Sequence, residues 1–260
     1  MTKPIYTTQV DQLPITVYQS NEELGQAAAA EASQVIQRAI QARGVANVIL
    51  ATGNSQLTFL TTLRADQKVD WQKVNVFHMD EYIGIDPNHP ASFPKFLRTH
   101  FLSDVNVKAF YPVSGQVGNI ETTCADYARL LRANPVDVCA CGYGENGHLA
   151  FNDPPFADFS DPVWVKPIKL AEASRRQQVG EGHFKSLDEV PTHAITLTIP
   201  ALLAAKRVLC IVPESRKAEA VYRALRNPIG EDCPGSILRN TPHAHLFLDQ
   251  DSAKKILPKS

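Results

Sequence analysis

Short apolar runs alternate with helix-forming stretches along the whole 260-residue chain, and that alternation leaves few folds open. The runs at 45–51, 74–77, 136–141 and 208–212 are nearly continuous in apolar or β-branched residues. Such runs mark strands covered on both faces, the condition of a parallel sheet. A parallel neighbour needs a crossover, and the intervening segments are long enough to supply one as a helix. The expected architecture is therefore α/β: a doubly wound, mostly parallel sheet flanked by helices, Rossmann-like in outline. No linker, repeat or low-complexity tract interrupts the pattern, so residues 1–260 are expected to form one domain.

Local signals place the elements. Ile15–Tyr18 reads as a strand. Ser20 or Asn21 then caps a helix whose first turn carries Glu22 and Glu23 and whose end falls at about Arg43, where Gly44 supplies the stop. The strand at 45–51 leads through Thr52-Gly53-Asn54-Ser55 into a helix from Gln56 to about Arg64. Trp71–Met79 holds the strand Val74–Phe77 and runs on into His78-Met79-Asp80-Glu81-Tyr82. After the polar loop Gly84–Pro90 comes a helix reaching about Phe101, and a further helix fits Glu121–Arg132. The later part repeats the alternation: a strand near Val163–Leu170, a short helix near Ala171–Val179, a strand Ala194–Ile199, a helix Pro200–Lys206 and a strand Val208–Val212. Ser215 is expected to cap a helix ending at Arg226, and His245–Leu248 forms the last strand.

Charge narrows the partners. Lys+Arg 26 against Asp+Glu 27 gives a net charge of −1 with no basic block, which disfavours nucleic acid. No apolar run approaches membrane-spanning length, and no basic segment followed by an apolar one opens the chain. A cytoplasmic protein with no membrane partner is the expectation, and a homo-oligomer is compatible with it. The five cysteines are an odd, scattered set, read as reduced thiols; Cys139 and Cys141 lie two apart on a strand and so share one core face. No metal is expected.

The most informative stretch follows the apolar run at 136–141: Gly142-Tyr143-Gly144-Glu145-Asn146-Gly147-His148-Leu149-Ala150-Phe151-Asn152-Asp153-Pro154-Pro155. Its glycines spell the G-x-G-x-x-G of dinucleotide sites, but that reading needs a helix opening at the third glycine and an acid at the end of the next strand. Asn152 to Pro155 stops a helix almost at once, and the next strand candidate, Val163-Trp164-Val165-Lys166, ends on lysine. The histidine carries more information than the glycines.

Three polar clusters follow three strands, and parallel strands bring their carboxyl ends to one edge of the sheet, where α/β sites form. Thr52, Gly53, Asn54 and Ser55 couple a flexible glycine to hydroxyls at a helix start. That suits a phosphate, and it also suits an ordinary capped turn. Lys217, in the first turn of a helix, opposes the helix dipole unless an anion sits nearby. Asp80 and Glu81 put two carboxylates at a strand end, where partial burial can raise a pKa into the general-base range; a loop or capping role is the plain alternative. Alternating side chains send Glu81 to the opposite side from Asp80, into a structural role. His148 is either a satisfied loop histidine or an acid–base group oriented by Asp153 or Glu145. Together these groups suit proton transfer on a phosphorylated small molecule.

In Ala51-Thr52-Gly53-Asn54-Ser55, Phe77-His78-Met79-Asp80-Glu81-Tyr82-Ile83-Gly84, the Gly142–Asn152 stretch and Ser215-Arg216-Lys217-Ala218, the chain resembles the glucosamine-6-phosphate deaminase (isomerase) family, within the wider group that includes 6-phosphogluconolactonases. The likeness runs over nearly the full length. Lactonases usually carry Asp-Glu-Arg in the first acidic segment and Ala-Ser-Leu-Phe-Pro after the histidine, so the motifs here are of the deaminase kind. The resemblance implies conversion of glucosamine 6-phosphate and water to fructose 6-phosphate and ammonia, with no cofactor. It makes Asp80 the base that moves the C2 proton to C1 and His148 the group that assists ring opening. It also implies that Lys217 and the 52–55 loop hold the phosphate of the sugar-phosphate substrate. Many members carry aspartate in place of Asn146 and glutamate in place of Asp153; asparagine can still hydrogen-bond the imidazole but cannot take its proton. A lactonase-type hydrolase and a non-catalytic sugar-phosphate sensor are the rival readings, and retention of both Asp80 and His148 speaks against the sensor.

Overall fold

A computed structural model describes residues 2–116, 118–154 and 156–258. Pro155, the last residue of the glycine-rich stretch, lies outside them. The elements run β1 (Tyr6–Val10), β2 (Leu13–Tyr18), α1 (Asn21–Arg43), β3 (Ala46–Leu50), α2 (Leu57–Arg64), β4 (Val74–His78), β5 (Asp80–Tyr82), α3 (Phe93–Leu97), β6 (Ala109–Tyr111) and α4 (Ile120–Ala133). They continue with β7 (Val138–Cys141), β8 (Val165–Lys169), α5 (Glu172–Gly180), β9 (His193–Leu197), α6 (Ile199–Leu203), β10 (Arg207–Val212), α7 (Ala218–Arg226), β11 (Ala244–Asp249) and α8 (Gln250–Ala253).

Eight strands form the main sheet in the order β1-β2-β11-β10-β7-β3-β4-β6, with every neighbour parallel except β1 and β2. The mostly parallel α/β fold read from the apolar runs is the one observed. Burial explains its double winding. Along β7, Val138 and Ala140 enter one core while Cys139 and Cys141 enter the other, the two-residue period of a strand covered on both faces. All five cysteines are buried free thiols. From β3 the chain builds outward through β4 to β6; it then returns to the other side of β3 as β7 and builds through β10 and β11. The point of reversal lies between β3 and β7, where their carboxyl-end loops must diverge and leave a crevice.

α1 shows how closely local chemistry sets an end. Ser20 accepts a hydrogen bond from the Glu23 N–H, and Gly44 takes the left-handed conformation at φ 77° that a side chain would resist. Elsewhere the reading needs correction. The segments at 163–170 and 194–199 were expected in the parallel sheet; instead β8 and β9 pair antiparallel, and β5 joins β9 to make a separate three-stranded sheet. The pattern in β8 accounts for this. Lys166, Pro167 and Lys169 break the apolar run, and a proline without an N–H belongs on an edge. The helix expected to reach Phe101 is α3 followed by a wider π-helical turn at Arg98–Leu102.

Candidate active site

One cleft at the carboxyl edge of the main sheet is lined by Thr52, Gly53, Asn54 and Ser55 after β3, by Asp80 at the start of β5, by His148 in the loop after β7 and by Lys217 after β10. Gln177 and Gln178 of α5, followed by Glu181 and His183, wall it from the far side. Asn146 and Asp153 lie behind His148 rather than in the lining.

The 142–153 loop is built around the histidine ring. A Cβ on Gly144 would stand 2.0 Å from His148 Cε1, so only glycine lets the ring lie against the backbone here. Gly147, at φ 87°, reverses the chain instead of opening a helix, which removes the dinucleotide reading geometrically as well. Ala150 at φ 50° is a non-glycine residue held in the left-handed region beside it.

His148 Nδ1 lies 2.8 Å from Asn146 Oδ1 and 2.9 Å from Asp153 Oδ1, while the Asn146 amide donates to that same Asp153 oxygen at 2.8 Å. With its NH₂ committed to Asp153, Asn146 can offer His148 only its oxygen. Both neighbours of Nδ1 are acceptors, so Nδ1 carries a proton and the neutral ring is the tautomer whose Nε2 is the acceptor. Ser174 Oγ adds a third donor to Asp153 Oδ1 at 2.6 Å. Burial opposes ionisation of Asp153, but the His148 ring and the donors from Asn146 and Ser174 outweigh it and hold the carboxyl below its ordinary value. Of the two acids considered for orienting His148, Asp153 is the one in contact; Glu145 pairs with Arg216 at 3.1 Å.

Asp80 is 7 % exposed, and no hydrogen bond among the described residues holds its carboxyl. Burial, reinforced by the Glu81 charge, pushes it well above the usual carboxylate range. A carboxylate with that affinity for protons, open on one side to a cleft, is equipped to take a proton from carbon. Glu81 points away, as alternation requires. It accepts from its neighbour Tyr82 N–H at 2.8 Å and from Ser92 Oγ at 2.8 Å, and burial lifts it to about 7. Beneath them, burial drives the His78 ring down to about 3, so it is neutral, with Nδ1 accepting from the Val113 N–H at 3.2 Å.

The anion end is made by backbone and one buried cation. Gly53 at φ 99° turns the chain into a 3₁₀ turn, Asn54–Gln56, and neither this turn nor α2 has a side-chain cap. The capped-turn alternative for Thr52 to Ser55 is therefore not what is observed, and the N–H groups there are left for a ligand. Ser215 does not cap a helix either: it lies inside a 3₁₀ turn, Ser215–Lys217, that precedes α7. The turn is entered through Glu214 at φ 81°, whose N–H donates to Asp249 at 3.0 Å. Lys217 is 4 % exposed and makes no ion pair among the described residues. Burial first, and Arg216 second, lower its pKa, and an anion in the cleft would relieve both.

Sequence reasoning passed over Arg216, Glu181 and Ser174. Arg216 binds Glu181 at 2.5 Å, Glu214 at 2.6 Å and Glu145 at 3.1 Å beside Lys217; burial opposes ionisation of Glu181, but its hydrogen bonds with His183, Arg216 and Gln177 outweigh it and hold the carboxyl at about 2. The only local signal was the adjacency of Arg216 to Lys217. Ser174 had none, since its partner lies 21 residues away. Among the described residues no three His, Cys, Asp or Glu side chains converge as metal ligands, and no helix is long and apolar enough to cross a membrane.

The family model for glucosamine-6-phosphate isomerases/6-phosphogluconolactonase matches residues 19–247. A glucosamine-6-phosphate deaminase of Bacillus cereus (strain B4264) is 32 % identical over 238 residues, covering 92 % of this chain and 87 % of that one. Another, of Bacillus cytotoxicus, matches at the same identity and coverage. Among solved structures, a monomeric glucosamine-6-phosphate deaminase superposes with a TM-score of 0.83 at 26 % identity, over 92 % of this chain and 98 % of its own. A putative 6-phosphogluconolactonase from Neisseria gonorrhoeae FA 1090 shares the fold, with a TM-score of 0.72 at 20 % identity over 93 % of this chain and all of its own.

Proposed function

The chain belongs to the glucosamine-6-phosphate isomerase/6-phosphogluconolactonase family, and from that premise we propose that it is a deaminating aldose–ketose isomerase acting on an amino-sugar phosphate, glucosamine 6-phosphate in the first instance. The observation that carries this reading is the buried, high-pKa Asp80 carboxyl facing the same cleft as the His148–Asp153 pair. Hydrolysis of a lactone requires one base for water; opening a sugar ring and then moving a proton between two carbons calls for two separate groups. The family match spans most of the chain, in keeping with one α/β domain as the working unit.

In this reading His148 Nε2 takes the proton of the sugar's O1 hydroxyl and returns one to the ring oxygen, opening the ring. Asp153 and Asn146 stabilise the charge that the imidazole gains in between. Asp80 then removes the C2 proton, with O1 taking up a proton as the enolamine forms, and delivers the C2 proton to C1 as the amine nitrogen gives one up. This leaves an imine at C2 that water hydrolyses to the ketose and ammonia. No electrons are exchanged, and no cofactor is needed. Lys217 and the N–H groups of residues 52–55 hold the phosphate and so fix C2 against Asp80. We also place the protein in the cytoplasm, a reading supported by its five free thiols.

The test is ammonia release across a panel of 2-amino-2-deoxyhexose 6-phosphates, with phosphogluconolactone hydrolysis run alongside. Ammonia and fructose 6-phosphate in equal amounts from glucosamine 6-phosphate are the expected result. Lactone hydrolysis without ammonia from any amino sugar would replace the isomerase with the hydrolase.

A further inference from the structure

Every side-chain hydrogen bond that Asp153 makes among the described residues falls on one oxygen. Oδ1 receives His148 Nδ1, Asn146 Nδ2 and Ser174 Oγ, while Oδ2 is buried without a partner there. Two of the three donors sit on the same short loop as Asp153. Ser174 does not: it comes from the first turn of α5, the helix whose Gln177 and Gln178 wall the cleft. Ser174 is 4 % exposed and Asp153 fully buried, so water does not compete for this contact. A hydroxyl at 2.6 Å from an ionised oxygen is a charge-assisted bond, stronger than a neutral one. The terminal torsion of an aspartate is broad and nearly two-fold, and its two oxygens exchange readily unless something distinguishes them. Donors from two different elements make that distinction here.

We propose that Ser174 is a positioning residue for the acid–base pair: its hydroxyl selects the Asp153 oxygen that His148 Nδ1 addresses and ties that oxygen to the helix walling the cleft. The proposal rests on the acid–base reading of His148 and extends it to a residue that touches neither the ring nor the cleft. The positive end of the α5 dipole acts in the same direction, favouring charge on Asp153. His148 is the one titratable group acting on Asp153, with Asn146 and Ser174 as its neutral donors. Loss of the Ser174 hydroxyl therefore leaves the buried carboxylate less stabilised, and its affinity for a proton rises.

The experiment follows the Asp153 carboxyl carbon by NMR titration of the full chain without substrate, beside pH profiles of deamination. In Ser174→Ala, which deletes a single atom and so cannot overpack the site, the Asp153 titration is expected to move up by about one unit. The acid limb of kcat should move in the same direction, with kcat down about tenfold and KM within about twofold. Ser174→Thr keeps the hydroxyl and should retain the parent titration. An Asp153 titration unchanged in Ser174→Ala overturns the proposal even if activity falls, because a structural role alone would give that result. The titration is read without turnover, so an absence of deaminase activity in the parent refutes the functional reading and leaves this measurement independent.

Discussion

His148 is one side chain whose chemistry is set by two others. Sequence reasoning recognised His148 and set Asp153 beside it, with Glu145 as the alternative orienting acid, because two acids within five residues of a histidine are told apart only once the loop is folded. The fold sends Glu145 outward to Arg216 and Asp153 inward to Nδ1. Asn146 looked at first like a weakened aspartate. In place it does what an aspartate could not: it accepts from His148 with its oxygen and donates to Asp153 with its nitrogen. Asn146→Asp would set two carboxylates against each other at this spot, where one must take up a proton or the pair must part. Turnover is expected to fall between about tenfold and a hundredfold, with a smaller change in KM. The double variant Asn146→Asp, Asp153→Asn restores one charge and one amide and should recover part of the loss. Steady-state kinetics of the three proteins decides this, and full activity of the single variant would show that the amide's donor role is unimportant.

At the scale of elements, the break between β4 and β5 is what turns the end of a parallel strand into a wall of the cleft. The chain leaves the main sheet after His78 and pairs antiparallel with β9, and Asp80 faces the cleft as a result. Nothing local announced β5, three residues long, or its partner strand's transfer to a second sheet. Strand pairing is a tertiary choice that apolar runs do not record, whereas the caps of α1 are local chemistry: Gly44 was legible directly and the N-cap was narrowed to Ser20 or Asn21. Glu81 anchors this junction by taking the hydroxyl of Ser92 at the N-cap of α3. Burial raises its carboxyl from 4.5 to about 7, so the folded protein holds that proton more tightly than the unfolded chain. The corresponding stability is full below pH 4.5 and is lost as pH rises through 7. Glu81→Gln removes the titration. Relative to the parent, its stability should improve between pH 5 and pH 8 by roughly 2 to 3 kcal/mol, read from chemical denaturation at each pH. A stability difference that is the same at both pH values would mean that Glu81 is not the buried acid described.

On the scale of the molecule, strand order does the assembling. Residues 52–55, 80, 148 and 217 are scattered over more than half the chain and meet because β3, β4, β7 and β10 are parallel neighbours or near neighbours with their carboxyl ends together. That much was readable from the alternation of apolar runs and helices. The wall opposite was not, since α5 owes its place to long-range contacts of Ser174, Gln177 and Glu181. The central claim is that Asp80, raised in pKa by burial, carries a proton between C2 and C1. The direct measurement is made in deuterated water, with the enzyme acting on fructose 6-phosphate and ammonia and the glucosamine 6-phosphate formed read by NMR. The parent protein is expected to place solvent deuterium at C2, with an acid limb above the ordinary carboxylate range because Asp80 must be ionised to act. Asp80→Asn should lose that label while still binding the sugar phosphate. Undiminished deuterium at C2 in Asp80→Asn would contradict the account.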